Sequence, residues 1–286
     1  MTATNGIAYY NGTFSAIEDA RIPLTDRAVF FGDGIYEMVL ARNGKSYLLE
    51  DHLDRFYKNA EVLGISFDMT RSELAGVISE ALLRAGSEKT ERTFAVYFQI
   101  SKYSKERIHA CPEGHAANLL LTVKEAVPPA PCEHCNLITY PDLRYMYCNL
   151  KTLNLLPSVI ASEFAARNNA EEAVLHRNGT VTECAHSNVS IIRNGVLYTH
   201  PNCELILPGI TRARLLYFAR ELSIPTREEA FDLNALYRAE SVIISSSTKL
   251  CRLAKNIDGI PFGARPQKEA AILAKAIYND FISSTD

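Results

Sequence analysis

The sequence lacks tryptophan and has only four methionines and seven cysteines in 286 residues. An odd number of scattered cysteines is not the pattern of a small secreted disulfide framework. No stretch approaches the run of about 18 consecutive apolar residues that a transmembrane helix needs. The first residues also lack the basic segment and apolar run of a secretory signal. We therefore expect a cytoplasmic protein that does not enter a membrane.

An excess of positive charge is absent too. Lys and Arg number 30 and Asp and Glu 33, so the formal net charge is −3. This balance is not the basic composition typical of nucleic-acid binding. Hydrophobic residues make up 47% and charged residues 22%, which is ordinary for a globular protein. At this length we expect one large or two modest domains with a real core.

Two cysteines lie close together, in Cys132-Glu133-His134-Cys135. A structural zinc site would need two further ligands at regular spacing, and the sequence has no second Cys-x-x-Cys. We interpret the segment as a loop in which Cys132 and Cys135 are free thiols, rather than as a metal or redox site.

A proline cluster interrupts the chain near its middle, with three prolines within residues 128–131. Proline cannot continue a strand ladder, so the cluster predicts a domain boundary. We predict an α+β protein with a smaller α/β N-terminal domain at residues 1–126. A linker follows at residues 127–135, and a larger β-rich C-terminal domain occupies residues 136–286.

Local patterns predict the main helices and strands. Thr70-Arg71-Ser72-Glu73 is a capping box that opens a helix, and residues 94–100 alternate apolar and polar side chains as a half-buried strand does. Residues 156–168 predict a helix with a proline in its first turn. Asn-Gly dipeptides predict β-hairpins, and they lie at residues 11–12, 43–44, 178–179 and 194–195.

Lys151 stands apart from the other lysines because its neighbours are apolar, in Leu150-Lys151-Thr152-Leu153-Asn154-Leu155-Leu156. Apolar surroundings disfavour the charged form of an amine. A neutral amine is what Schiff-base chemistry requires. The alternative is a structural lysine whose charged end reaches water along a partly buried helix start.

Two segments have features of an anion site. In Leu207-Pro208-Gly209-Ile210-Thr211-Arg212 a glycine precedes a helix start, whose free backbone N–H groups suit a phosphate. Ser245-Ser246-Ser247-Thr248 follows a buried strand and could add hydroxyl donors. A helix cap and a polar loop would account for the same residues.

An acid and a pair of cations complete the candidate residues. Glu183 closes a predicted strand, and Arg107-Ile108-His109 follows another. An arginine in such an extended segment can bind a substrate carboxylate with two hydrogen bonds. A solvated acid and ordinary surface cations are the alternatives.

Together these segments resemble the fold-type IV pyridoxal-phosphate (PLP) aminotransferases. The family includes D-amino acid transaminase, branched-chain aminotransferase and aminodeoxychorismate lyase. The resemblance covers nearly the whole chain and implies a two-domain fold-type IV enzyme whose larger C-terminal domain binds PLP. It is strongest at residues 31–39, 52–57, 150–164, 173–188 and 197–212.

The resemblance implies a role for each matching residue. Lys151 would hold PLP as an internal aldimine and move the proton. Glu183 would face the pyridine nitrogen and keep the ring an electron sink, and Arg55 would bind the phosphate. The other implied cofactor-binding residues are Glu172 near the lysine and the ring oxygen, Leu207 against the ring, and Ile210, Thr211, Ser246 and Ser247 at the phosphate.

Tyr36, Arg107 and His109 match the carboxylate-binding residues of the D-amino acid transaminase subgroup. In that subgroup the Arg-x-His motif comes from the partner subunit. The resemblance therefore implies a homodimer that exchanges an amino group between a D-amino acid, such as D-alanine or D-glutamate, and a 2-oxo acid. The oxo acid would be pyruvate or 2-oxoglutarate. Four residues depart from the family pattern: Tyr145, Ala185, His186 and Ser190.

Two alternatives stay open from the sequence. The same scaffold supports L-branched-chain transamination, aminodeoxychorismate lysis or amine transamination, and the Arg-x-His motif argues against these. A protein that stores PLP or senses amino acids without turnover is the other alternative. Lys151 and Glu183 argue against that interpretation.

Overall fold

A computed structural model describes residues 6–88, 91–103, 106–111, 116–127, 130–262 and 267–286. The chain divides into two compact units. The first comprises Met1–Pro128, Lys151–Asn154 and Ile282–Asp286, and the second Pro129–Leu150 and Leu155–Phe281. Both units contain helices and strands, so the predicted α+β class is confirmed.

Among its described residues, the first unit contains six strands, three helices and a 3-10 turn at Ile17–Asp19. In chain order they are β1 (Ile7–Tyr10), β2 (Thr13–Ala16), α1 (Arg27–Phe31), β3 (Gly34–Arg42), β4 (Lys45–Ser46), α2 (Leu49–Val62), α3 (Arg71–Arg84), β5 (Thr93–Ser101) and β6 (Asn118–Ala126).

These strands form one antiparallel sheet in the order β2-β1-β6-β5-β3-β4. Along β5 the alternate residues Phe94, Val96, Phe98 and Ile100 are buried, as their spacing predicts. Leucines and isoleucines of α2 and α3 join the same apolar core. The capping box at Thr70 is present and begins α3. The core therefore forms between the two helices and the sheet.

The second unit is richer in strands. Its elements are β7 (Glu133–Pro141), α4 (Leu156–Arg167), β8 (Glu172–Arg177), β9 (Thr180–Cys184), β10 (Asn188–Arg193), β11 (Val196–Thr199), α5 (Ile210–Glu221), β12 (Thr226–Glu228), α6 (Leu233–Arg238), β13 (Ser241–Ser246), β14 (Leu250–Ile257), β15 (Ile260–Pro261) and α7 (Lys268–Thr285), whose last residues belong to the first unit.

Nine strands of this unit form a mixed sheet in the order β12-β11-β10-β13-β14-β7-β8-β9, with β15 paired to β14. The pairs β14–β7, β7–β8 and β11–β12 are parallel. The predicted hairpin between β8 and β9 is present, and Asn178 (φ 49°) and Gly179 (φ 85°) adopt the left-handed conformations that its two-residue turn requires. In the described part of the chain, no helix is long and apolar enough to cross a bilayer.

One local prediction is wrong. Residues Glu133–Cys135 are not a loop but the start of β7, where they pair in parallel with β14. Cys135 is buried, and its thiol donates to Leu253 O at 3.7 Å. The last proline of the cluster is Pro131, so the strand can begin two residues later and the linker is shorter than predicted.

Candidate active site

The first group of polar side chains lies where β3 meets α2. Alternation along β3 places Tyr36 and Glu37 on opposite faces, and Glu37 is completely buried. On α2, His52 and Arg55 are three residues apart and share a face. Arg55 Nε and Nη2 donate to the two Glu37 carboxylate oxygens at 2.7 and 2.8 Å. His52 Nδ1 lies 2.6 Å from the same carboxylate, so the guanidinium has a fixed orientation.

Charge pairing decides the protonation of this group. Burial alone would raise the pKa of Glu37, but the Arg55 guanidinium and His52 outweigh it and lower that pKa to about 2. Burial lowers the pKa of His52, although Glu37 opposes the shift. At neutral pH the carboxylate is therefore ionised, the imidazole is neutral and Arg55 keeps its charge.

Lys151 is attached to the edge of β3. Tyr36 N donates to Lys151 O at 3.0 Å, and Leu153 N donates to Gly34 O at 3.0 Å. On this edge of the sheet, β4 pairs only with the last two residues of β3. The first residues of β3 can therefore form these hydrogen bonds with the Lys151 segment. The half-buried Lys151 Nζ lies 4.3 Å from the centroid of the Tyr36 ring. The structure thus brings the amine of Lys151 and the ring of Tyr36 together.

The Arg107-Ile108-His109 segment lies beside α1. The Arg107 guanidinium carbon is 5.1 Å from the centroid of the Phe31 ring, and the His109 ring centroid is 5.3 Å from it. Both side chains are exposed. Among the described residues, neither forms an ion pair with a carboxylate.

In the second unit, Glu183 ends β9 in a buried position. Arg144 Nη1 donates to one carboxylate oxygen, and Asn188 Nδ2 and Leu207 N donate to the other at 2.9 and 3.1 Å. Burial raises the pKa of Glu183 to about 7, although Arg144 and the Leu207 N–H oppose the shift. An acid with this pKa can give up or hold a proton near neutral pH.

Arg144 is a residue that the sequence analysis missed. Its Nε and Nη2 donate to the two oxygens of buried Asp142 at 2.9 Å each. Arg177 Nε and Thr182 Oγ1 donate to that same carboxylate at 3.1 and 2.9 Å. The available signal was an Asp-x-Arg directly after the apolar strand β7, which positions a cation beside the end of a neighbouring strand.

The start of α5 has the features expected of a phosphate site. Its N-cap, Gly209, provides no capping side chain. A Cβ on this residue would lie 1.8 Å from Asn188 Oδ1, so only glycine allows the close approach. On β13, against which α5 packs, Ser246 Oγ is buried and has no partner among the described residues. Free N–H groups and an unpartnered hydroxyl fit the phosphate of PLP.

Glu172 lies on β8 and is also buried. It accepts hydrogen bonds from His186 N at 3.0 Å and Ser187 Oγ at 2.9 Å, and His186 Nδ1 lies 3.2 Å from it. Burial raises the pKa of Glu172, with His186 opposing the shift. His186, one of the departures from the family pattern, therefore contacts an acid implied by that pattern. The placement of Glu172 near the lysine stays a prediction.

The predicted residues fall into two sets, one in each unit. The structure brings Tyr36 together with Lys151, and Glu183 together with Leu207. Of the other departures, Tyr145 is exposed, whereas Ala185 and Ser190 are buried. The first unit also holds Arg55, Arg107 and His109, and the second also holds Glu172, Ile210, Thr211, Ser246 and Ser247.

Comparison with known proteins identifies the family. Residues 34–257 match the family described as amino-transferase class IV. The chain is 36% identical over 255 residues to a D-alanine aminotransferase of Staphylococcus epidermidis, covering 88% of this chain and 89% of the relative. It is 38% identical over 248 residues to a D-alanine aminotransferase of Listeria monocytogenes serotype 1/2a, covering 85% and 84%.

The fold is shared with solved structures. The branched-chain aminotransferase of Thermoproteus uzoniensis, solved with norvaline, superposes with a TM-score of 0.85 at 21% identity, over 97% of this chain and 96% of that one. The resemblance inferred from the motifs is therefore confirmed, and the chain belongs to the class IV aminotransferase family.

Proposed function

We propose that this protein transfers the amino group of a D-amino acid, such as D-alanine or D-glutamate, to a 2-oxo acid. One observation carries the proposal: relatives that match 85–88% of the chain, at 36–38% identity, are D-alanine aminotransferases. The branched-chain enzymes that share the fold are 20–23% identical to this chain. That level of identity supports a shared fold but not a shared substrate. PLP is the cofactor of the family, and when bound it accepts the negative charge left on the substrate α-carbon.

Lys151 and Glu183 carry the proton chemistry in this proposal. The Lys151 amine would take the α-proton of the substrate, and the ammonium that results would give the proton back from the same position to complete the transfer. Glu183 holds a proton at the nitrogen of the cofactor ring, which its raised pKa supports. Asn188 and Leu207 fix the Glu183 carboxylate through their hydrogen bonds.

Arg55 and the start of α5 bind the phosphate in this proposal. The bidentate pair with Glu37 orients the Arg55 guanidinium, and the α5 N-terminus supplies backbone donors from Ile210 and Thr211. Ser246 and Ser247 add hydroxyls. Glu172 and Leu207 line the ring.

Tyr36, Arg107 and His109 bind the substrate carboxylate. The two substrates of a transaminase share that carboxylate and differ in their side chains, so firm recognition of the carboxylate with loose recognition of the side chain suits the reaction. The side of the pocket on which the carboxylate is held decides which enantiomer presents its α-hydrogen to the lysine. This arrangement favours the D enantiomer.

In this proposal the protein is a cytoplasmic homodimer, and an exposed apolar stripe on α4 supports the dimer. Its residues recur at helical spacing and are 36–69% exposed, an unusual amount of apolar surface for one helix face. A second copy of the chain would bury the stripe and supply Arg107 and His109 to the neighbouring site. The stripe consists of Leu156, Val159, Ile160 and Phe164.

A half-reaction spectrum tests the proposal. The PLP-loaded protein is mixed separately with D-alanine, D-glutamate, L-glutamate and L-leucine without an oxo acid, and the visible absorption band is followed. Loss of the band with the D-acids alone is expected, and Lys151→Ala should show no change with any of them. Loss with L-leucine and L-glutamate alone would replace the proposal with L-branched-chain transamination. A stable band with all four would favour a PLP-storing protein.

A further inference from the structure

Arg27 is a buried arginine whose guanidinium donates hydrogen bonds to the backbone of the Arg107–His109 segment. Only 4% of the residue is exposed. Nη1 donates to Ile108 O at 2.5 Å, Nη2 donates to His109 O at 2.9 Å, and Nε donates to Asp33 Oδ2 at 2.7 Å. The two carbonyls belong to consecutive residues in a stretch, 106–111, that forms neither helix nor strand. The planar fork of an arginine spans such a pair of acceptors, whereas the ammonium of a lysine cannot.

Phe31 holds the side chains of the same segment. Three cationic or ionisable groups surround its ring: the Arg27 guanidinium carbon at 4.7 Å, the Arg107 guanidinium carbon at 5.1 Å and the His109 ring at 5.3 Å between centroids. Guanidinium groups are attracted to the face of an aromatic ring. Asp33 pairs with Arg27 at 2.7 Å and so neutralises its buried charge.

The helix that carries both residues is itself fixed to the sheet. Asp26 caps α1 by accepting from Ala28 N at 2.8 Å, and its other oxygen accepts from Asn118 Nδ2 at 2.7 Å on β6. Lys102 N donates to Asp33 O at 3.1 Å just beyond β5. A rigid support of this kind is what precise placement of binding groups requires.

We infer that Arg27 and Phe31 are positioning residues for the substrate carboxylate: they fix the backbone of Arg107–His109 and hold the Arg107 and His109 side chains on one aromatic ring. The inference rests on the proposed function, in which Arg107 and His109 bind that carboxylate. It assigns no contact with substrate to Arg27 or Phe31, which act through the segment that they hold.

The test is the steady-state kinetics of Arg27→Lys, which keeps the charge and loses the fork. KM for D-alanine and for 2-oxoglutarate should each rise at least about 10-fold, while kcat changes less than about 3-fold, because binding common to ground and transition states is lost. The PLP dissociation constant, measured by titrating the apoprotein, should not change. Amide hydrogen exchange should accelerate in residues 106–111 alone. Phe31→Leu provides the same test should the lysine variant fold poorly.

Arg92→Lys is the matched control. Arg92 also pairs with a carboxylate, Glu125, and lies 5.1 Å from a phenylalanine ring, Phe94, but it contacts no part of the Arg107–His109 segment among its described partners. Its KM values should equal those of the wild type. If Arg92→Lys raised KM as much as Arg27→Lys does, the inference would be overturned. The increase would then follow from replacing any such arginine rather than from the contact with Arg107–His109.

A double-mutant cycle separates this inference from the proposed function. If Arg27 acts through this segment, then Arg27→Lys should raise KM less than about 3-fold in a background that carries both Arg107→Met and His109→Gln. If Arg27→Lys raised KM in that background by the same factor as in the wild type, the positioning role would be overturned. Raised KM in Arg107→Met with wild-type KM in Arg27→Lys and Phe31→Leu would also overturn it, and leave the proposed function standing. Wild-type KM in both Arg107→Met and His109→Gln would reject the carboxylate-binding assignment itself, and this inference with it.

Discussion

Lys151 is placed by its backbone rather than by its side chain. The hydrogen bonds of Tyr36 N to Lys151 O and of Leu153 N to Gly34 O fix the chain at the edge of β3, and the long side chain then packs on the Tyr36 ring. Shortening the side chain breaks neither of these bonds. The Lys151 amine can therefore be removed without breaking the backbone hydrogen bonds that hold this segment.

Lys151→Ala should fold normally and lose transamination by at least about 1,000-fold, the upper part of the range for a lost acid–base group, because no other amine takes its place. Initial rates with D-alanine and 2-oxoglutarate measure the loss, and circular dichroism checks the fold. Lys58→Ala, an exposed lysine of α2, is the control and should keep full activity. Full activity in Lys151→Ala would reject the proposed mechanism.

At the scale of elements, a single carboxylate joins β3 to α2. Glu37 from the strand meets both Arg55 and His52 of the helix, and all three lie within the first unit. Removing one partner of a buried ion pair leaves a charge without compensation, which is costly in a protein interior. The same contact orients Arg55, so the stability of this unit is coupled to the placement of the residue that we propose as a phosphate ligand.

Glu37→Gln should lower the free energy of unfolding by about 3 kcal/mol at pH 7, since the pKa of Glu37 lies near 2 in the folded state instead of 4.5. A depressed pKa stabilises the fold above pH 4.5, and this contribution disappears as the pH falls through 2. The wild-type and variant curves should therefore converge in acid. Urea unfolding of the apoprotein from pH 7 to pH 3 measures both effects.

The control for Glu37 is Glu125→Gln, which alters an exposed carboxylate paired with Arg92. It should change the unfolding midpoint far less, because exposed ion pairs contribute little. A constant gap between the wild-type and Glu37→Gln curves at every pH would contradict the role assigned to the ionised carboxylate.

The start of α5 depends on the absence of a side chain at residue 209. Gly209→Ala would place a Cβ 1.8 Å from Asn188 Oδ1, so the loop or the amide must move, and Asn188 also holds Glu183. We expect PLP affinity to fall at least about 10-fold as the helix N-terminus is displaced. Titration of the apoprotein with PLP measures this.

Gly76→Ala is the matched control for Gly209, because a Cβ there meets nothing within 4 Å. In the interior of α3 this change should stabilise the protein by about 1 kcal/mol and leave PLP affinity unchanged. Equal PLP affinities in the two variants would show that residue 209 tolerates a side chain. The phosphate site proposed at the start of α5 would then be wrong.

At the scale of the whole molecule, the proposed homodimer makes a prediction about mixed subunits. Lys151→Ala and Arg107→Met are each defective, but a dimer with one of each would contain one site with both groups intact if Arg107 acts in the partner's site. Random reassortment of equal amounts should restore about a quarter of the wild-type sites. Mixing, unfolding and refolding the two variants together, followed by rate measurement, tests this. No recovery would place Arg107 in its own subunit's site.

Much of the fold could be predicted because its signals are local. The hairpin at residues 178–179, the capping box at Thr70 and the alternation along β5 each depend on a few neighbouring residues, and each is present. The start of β7 could not be predicted, because pairing with β14, more than a hundred residues away, decides where that strand begins. The prolines within residues 128–131 indicated only where β7 could not begin.

The sequence by itself determined the family and singled out Lys151, Glu183 and the motif Arg107–His109 as candidate site residues, because family motifs and residue chemistry can be read without coordinates. Only the tertiary structure revealed Arg144 beside Glu183, Glu37 beneath Arg55, and Arg27 behind Ile108 and His109. These partners lie 18 to 82 residues apart along the chain, and their contacts exist only once the strands and helices have packed. The ionisation and orientation of these side chains depend on burial and on neighbouring charges. Burial and these neighbouring charges arise only when the chain folds.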